Sequence, residues 1–221
     1  MITVHHLNNS RSQRVLWLLE ELGVPYEVKR YERNAATMLA PPELRAIHPL
    51  GKSPVIEENG VVTAETGAII EQILASHPGN ALTPPAGSEA ARRVTYWLHY
   101  AEGSAMTPLL LKLVFGALPK RSPGLIRPLV NAISGKAQSS FIDPQIEAHS
   151  AYWEGELSKA KWFAGDQFTA ADIMMSFPLE ACSARAPFGP DKPRCRAFLE
   201  AIHARPAYQR ALERGGPYAY A

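Results

Sequence analysis

The sequence predicts an α/β unit over residues 1–78, a linker at 79–88 and an all-helical unit over 89–221. Three observations predict it. Up to residue 77, strand-like and helix-like stretches follow the order β-α-β-α-β-β-α. Two β-branched runs meet at Asn59-Gly60, the favoured pair for a tight hairpin. Beyond the Pro- and Gly-rich stretch PGNALTPPAGS no convincing strand pattern appears.

Each element has its own signal. ITVHHL at 2–7 is a short β-prone run, and RSQRVLWLLEELG places Val15, Leu16, Leu18, Leu19 and Leu22 at helical spacing with Gly23 as the stop. PYEVKRYE at 25–32 alternates as a strand near a sheet edge does. A helix or loop covers roughly 33–48. SPVIEENGVVT forms the hairpin, and TGAIIEQILASH is amphipathic with Ile69, Ile70, Ile73 and Leu74 on one face. In the second half, EAARRVTYWLHYAEGSAM reads as a long helix that Pro108 kinks or ends. Prolines 119, 123 and 128 then divide the chain into short pieces. Helices are expected at about 143–160 and 193–203, with a turn of helix from Pro206. Thr169 and Asp172 form a carboxylate capping box before a further helix.

Composition excludes several classes of function. Among 221 residues, 46% are hydrophobic and 20% charged, as in ordinary soluble chains. Lys+Arg 23 against Asp+Glu 21 leaves +2, and no basic run marks a nucleic-acid footprint. Apolar stretches such as LLLKLVFGAL read as too short to span a bilayer, and MITVHHLNNS lacks signal-peptide features. Cys182 and Cys195 form neither a CxxC pair nor a ligand cluster. A reducing cytoplasm and no metal are the resulting expectations.

The β-α-β-α-β-β-α order is that of a thioredoxin-like domain, in which the loop after the first strand carries the chemistry. Here that loop reads Asn8-Asn9-Ser10-Arg11-Ser12, without cysteine, so exchange by the chain's own thiols is excluded there. Ser53-Pro54 stands before a strand, and two readings are open. A trans proline merely starts an edge strand. A cis proline turns the N–H and C=O of Ser53 outward, where a short peptide pairs with them. Glu65 and Thr66 stand at a helix start, where main-chain N–H groups bind anions. They suit an amino-acid end, and plain capping is the alternative.

NNSRSQRVLWLLEELGVPYE at 8–27, HPLGKSPVI at 48–56, AETGAIIEQIL at 64–74 and FTAADIMMSFPL at 168–179 together resemble the glutathione transferases, in particular their serine-type bacterial and fungal branch. The resemblance implies that glutathione is the co-substrate and that its thiolate attacks a small hydrophobic electrophile. It places Ser10 at the catalytic serine position, with Asn8 or Asn9 as a sharer of that role, and an Arg11 side chain turned inward adds a full positive charge beside the thiol. Lys52, Ser53 and Pro54 match the segment that holds the glutathione backbone, and Glu65 and Thr66 match the pair that holds its γ-glutamyl end. It also implies a cytoplasmic homodimer. The electrophile pocket is expected at Tyr100, Met106, Leu110 and Phe115. Alternatives within this resemblance are peroxide or disulfide reduction with glutathione, and a non-catalytic binding module of the same fold.

Competing assignments exist for single residues. Ser10 can be a helix cap alone. Arg14 reads as a structural partner, and Glu102 as a structural or solvated carboxylate. His5 and His6 point to opposite faces of their strand and cannot share a metal. Cys182 is expected buried and Cys195 partly exposed.

Overall fold

The computed structural model describes residues 1–221 of the chain. Strand β1 (Ile2–Leu7) is central. It runs parallel to β2 (Tyr26–Tyr31) and antiparallel to β3 (Val55–Glu58), which pairs antiparallel with β4 (Val61–Ala64), giving the order β2-β1-β3-β4. The register sets Val4 between Val28 and Ile56, an apolar row across the sheet. Asn59 and Gly60, at φ 52 and 79, make the hairpin turn the sequence predicts. Helices α1 (Ser12–Leu22), α2 (Glu43–Ile47) and α3 (Thr66–Ser76) complete the thioredoxin-like unit. Gly23, at φ 65, ends α1 as expected.

Residues 77–88 contain no helix or strand, and beyond them every regular element is a helix, joined by loops. Helix α4 (Glu89–Tyr100), a π-helical segment (Ala101–Ala105) and α5 (Met106–Arg121) form one continuous rod. Pro108 neither ends nor interrupts it, because proline is tolerated where the i−4 carbonyl has another geometry, as next to a π segment. One expectation falls with this: the helix does not stop near residue 106. Glu89–Arg121 reaches a membrane-spanning length and apolarity by composition alone, as a core helix also does. One face of the rod, with Val94, Trp97, Leu98, Ala101, Ala105 and Leu109, packs into the core; Leu110, Leu113, Val114 and Leu118 point outward.

The second rod is also longer than the prolines suggest. Helix α6 (Arg127–Ala137) carries Pro128 in its first turn, where no N–H is needed, and continues through a π segment (Gln138–Ile142) into α7 (Asp143–Lys159). Helix α8 (Ala170–Arg185) starts at the predicted capping box. Asp172 accepts from the N–H of Thr169 and of Phe163, both at 2.8 Å. Helices α9 (Pro193–His203) and α10 (Pro206–Gly215) follow, the latter a full helix rather than one turn. Cys195, expected partly exposed, is buried against α7, as Cys182 is within α8.

One continuous apolar core runs through both units. Trp17 of α1 meets the Tyr208 ring of α10 edge-on at 5.1 Å, and Arg205 clamps Glu21 with contacts of 2.5 and 2.8 Å. The last helix thus docks on the first.

Candidate active site

The antiparallel pairing of β1 with β3 brings three stretches to one edge: the loop before α1, the segment before β3 and the start of α3. Ser53 is tied to β1 by its side chain alone, donating to the His5 carbonyl at 2.8 Å and accepting from Leu7 N–H at 3.2 Å. The peptide bond to Pro54 is cis. The N–H and C=O of Ser53 make no hydrogen bond within the chain. Lys52 beside it is exposed and Pro54 is buried.

Glu65 has φ 70, a conformation non-glycine residues adopt rarely and mostly where function requires it. The first main-chain bond of α3 runs from Ile69 N–H to the Glu65 carbonyl at 2.9 Å, so Thr66, Gly67 and Ala68 keep unpaired N–H groups. The Thr66 hydroxyl bonds nothing in the chain and makes no cap, although the residue is buried. Plain capping therefore does not account for this pair.

At the start of α1 the main-chain N–H groups of Asn9, Ser10 and Arg11 are likewise unpaired. Asn9 stands at φ 49. Its Oδ1 accepts from Ala219 N–H at 2.8 Å. Asn8 is turned away, accepting from Arg33 N–H. Arg11 lies between Glu102 and Glu65; its Nε is 3.1 Å from Glu102. Burial works against the Arg11 charge and Glu102 supports it. Arg14, 1% exposed, binds Glu102 as well and donates to the Met174 carbonyl at 2.7 Å. The structural role expected of Arg14 is what its contacts describe. Glu102 is held below the usual carboxylate range: burial pushes it up, but the two arginines outweigh that.

Ser10 differs most from its expected role. It is 4% exposed, and its Oγ lies 2.8 Å from Ser12 Oγ and accepts from Ser12 N–H at 3.3 Å. Ser12 Oγ in turn lies 2.8 Å from His6 Nδ1. Burial, with Arg30 nearby, pushes the His6 pKa down to about 4, so the ring is neutral; Gly215 packs against it. Ser10, Ser12 and His6 thus form one buried chain of polar contacts, and Ser12 Oγ also lies 3.4 Å from the Leu7 carbonyl. The Ser10 hydroxyl is thereby engaged with Ser12 on the buried side of the loop.

The four residues expected to line an electrophile pocket are not gathered in one place. Tyr100 bonds His149 at 2.5 Å and Trp153 at 3.0 Å, between α4 and α7. Met106 is buried in the core, Leu110 is exposed, and Phe115 is half-buried against the core. The reason is the helical phase: the π segment rotates the residues after Tyr100 relative to those before it. The ring that does face Arg11 is Phe177, 5.7 Å from its guanidinium, and Tyr220, beside Arg185, meets Phe177 edge-on at 5.4 Å. Sequence reasoning missed Phe177 because it lies within an apolar run, and Tyr220 because a chain terminus has no periodicity.

Neither cysteine supplies a nucleophile. Burial pushes the Cys182 thiol up to about 12 and raises Cys195 further. Nor do His, Cys, Asp and Glu side chains cluster as a metal site.

Comparison with known proteins bears on what this edge holds. The family model for the glutathione S-transferase N-terminal domain matches residues 10–74, and that for the C-terminal domain matches residues 118–206. Glutathione S-transferase 3 of Schizosaccharomyces pombe is 34% identical over 97% of this chain and 88% of its own. Glutathione S-transferase 1 of Saccharomyces cerevisiae is 32% identical over 97% of this chain and 95% of its own. A solved glutathione S-transferase from Actinobacillus pleuropneumoniae superposes with a TM-score of 0.80 at 36% identity, covering 100% of this chain and 95% of that one.

Proposed function

The chain belongs to the glutathione transferase family and is an enzyme of that family, and we propose that it binds glutathione along its three open main-chain stretches and presents the thiol, as thiolate, at the start of α1. One observation carries this reading: Ser53, residues 9–11 just before α1 and the first residues of α3 leave their N–H groups unpaired along one edge, next to Glu65 and Arg11. In it, Thr66 and the N–H groups of α3 take the γ-glutamyl carboxylate, and Glu65 takes its ammonium. Ser53, set by Pro54, pairs with the cysteinyl main chain as an added strand does. Lys52 lies within reach of the glycine carboxylate.

The thiol then lies at the start of α1. A free thiol, with a pKa near ~8.5, is mostly protonated at neutral pH. The unpaired N–H groups, the positive end of the helix dipole and the Arg11 guanidinium all favour the anion. Each unit of depression is worth ~1.4 kcal/mol. Asn9 contributes its side-chain amide, while Ser10 is a positioning residue that holds the loop through Ser12 and His6. The thiolate attacks an electrophile resting on Phe177 and Tyr220.

The working division is a glutathione-binding unit at 1–78, a linker at 79–88 and a helical unit at 89–221 that completes the electrophile site. A homodimer is supported by the outward apolar row Leu110, Leu113, Val114 and Leu118 beside Leu129 and Ile133. Action in the cytoplasm is supported by the two free cysteines, and detoxification of reactive electrophiles is the role that fits such chemistry.

The test is calorimetric titration with glutathione. Thr66→Ala removes a charge-assisted hydrogen bond of roughly 1.5–3 kcal/mol, so Kd should rise about tenfold or more. An unchanged Kd would remove the γ-glutamyl end from α3.

A further inference from the structure

After α10 the chain turns at Gly216, φ 80, and residues 217–221 run back along α8 toward α1. Three contacts seat this tail. Tyr218 donates to Glu180 at 2.6 Å, Ala219 N–H donates to Asn9 at 2.8 Å, and the Tyr220 ring meets Phe177. The tail thereby packs across α8 and the loop before α1, next to the Phe177 ring that Arg11 faces.

Arg185, the last residue of α8, stands behind that tail. It donates to the Leu109 carbonyl at 3.1 Å and to the Tyr220 hydroxyl at 3.2 Å, and its Nε is buried without an acceptor. No carboxylate is within ion-pair distance of it, and its charged neighbour in the cleft is another cation, Arg11. Glu102 is already shared by Arg11 and Arg14. Arg33 approaches Tyr220 from the other unit, bonded only to the Met38 carbonyl. Cations outnumber anions around one tyrosine hydroxyl, and a partly buried guanidinium without a counter-charge is poorly solvated until an anion arrives. Beside it lie two aromatic rings set edge-on, the half-buried Tyr220 against the buried Phe177, an apolar corner with a positive rim.

We infer that the electrophile site prefers aromatic electrophiles that carry a carboxylate, with Arg185 holding that group in place of the Tyr220 hydroxyl and the ring lying on Phe177. The inference rests on the proposed function and specifies its substrate class. For an aryl chloride activated by two nitro groups, the thiolate forms a C–S bond at the ring carbon that bears chlorine. The C–Cl bond breaks with its electron pair, chloride leaves, and no oxidant or reductant is needed.

The glutathione-loaded enzyme is titrated calorimetrically with dinitrobenzoate, which has no leaving group, and with its methyl ester. The carboxylate should bind about tenfold or more tighter, the scale of one charge-assisted contact. Arg185→Gln should bring the two to near parity. Tyr220→Glu, a tail substitution that places a carboxylate before Arg185, should do the same without touching α8, so a folding defect in the first variant leaves the test intact. Equal binding of acid and ester by the natural enzyme would overturn the inference, as would a preference that survives both variants. So would Arg185→Gln raising Kd for glutathione while keeping the preference, since the anion would then be glutathione's own. Turnover of the matching aryl chloride ester reads the proposed function separately: conjugation of the ester without any preference for the acid sinks only the substrate class.

Discussion

At the scale of single residues, the site is a set of main-chain groups left open by side chains that bind elsewhere. Ser53 is fixed through its hydroxyl, and Ser10 through Ser12. The relay ends on His6, and this makes it sensitive to pH. The unfolded chain protonates this imidazole near pH 6.5, whereas the folded chain resists until about 4. The unfolded state therefore holds more protons in that window. The His6 contribution is whole above pH 6.5 and is lost as pH falls toward 4, amounting to about 3 kcal/mol at most. Asp172, whose carboxyl burial raises to about 7, works in the opposite sense across this window, so the slope is read as the difference in urea denaturation between the natural chain and His6→Asn; no difference would assign the pH dependence to other groups. That Ser53 precedes a strand and that Glu65 and Thr66 open a helix is legible in the sequence, because their stretches punctuate strand and helix. The inward turn of Ser10 was not, since it depends on Gly215, which packs against His6 from the far end of the chain.

At the scale of elements, sequence logic worked where a local signal decides and failed where a partner does. The Asn-Gly hairpin, the Gly23 stop and the Thr169–Asp172 box are local, and all three are present. The α4–α5 rod runs through Pro108 and Pro119, which read as breaks, and α8 packs against it, while Pro128 opens the α6–α7 rod instead of breaking it. Glu102 belongs to the π segment of the first rod, which points it at Arg11 and Arg14. The box itself invites a direct test. Asp172→Ala removes the acceptor for two buried N–H groups, those of Phe163 and Thr169, at a cost of about 2–4 kcal/mol. Thr169→Ala removes one cap bond, at about 1 kcal/mol. The midpoints of urea unfolding should fall in that order; equal loss would mean that the cap, not the link to Phe163, dominates.

At the scale of the whole molecule, the two units act as one because the last helix returns to the first. Arg205 on Glu21, Arg210 on Glu20 and Arg214 over the Tyr26 ring at 3.8 Å hold α10 against α1 and β2. That docking delivers the tail to the cleft, where Tyr218 and Tyr220 find α8. No periodicity in a sequence reports such a closure, which explains why the predicted pocket residues and the observed cleft rings differ. The central claim is that the start of α1 and Arg11 together ionise the thiol, with Ser10 only positioning them. The most direct measurement is the pKa of enzyme-bound glutathione, followed by thiolate absorbance over pH in the natural enzyme and in Arg11→Gln and Ser10→Ala. The account predicts a pKa below the free value of ~8.5, a rise of about one unit or more in Arg11→Gln, and a smaller change in Ser10→Ala. A thiol that reverts to its free pKa in Ser10→Ala while Arg11→Gln leaves it depressed would contradict the account and return the catalytic role to the serine hydroxyl.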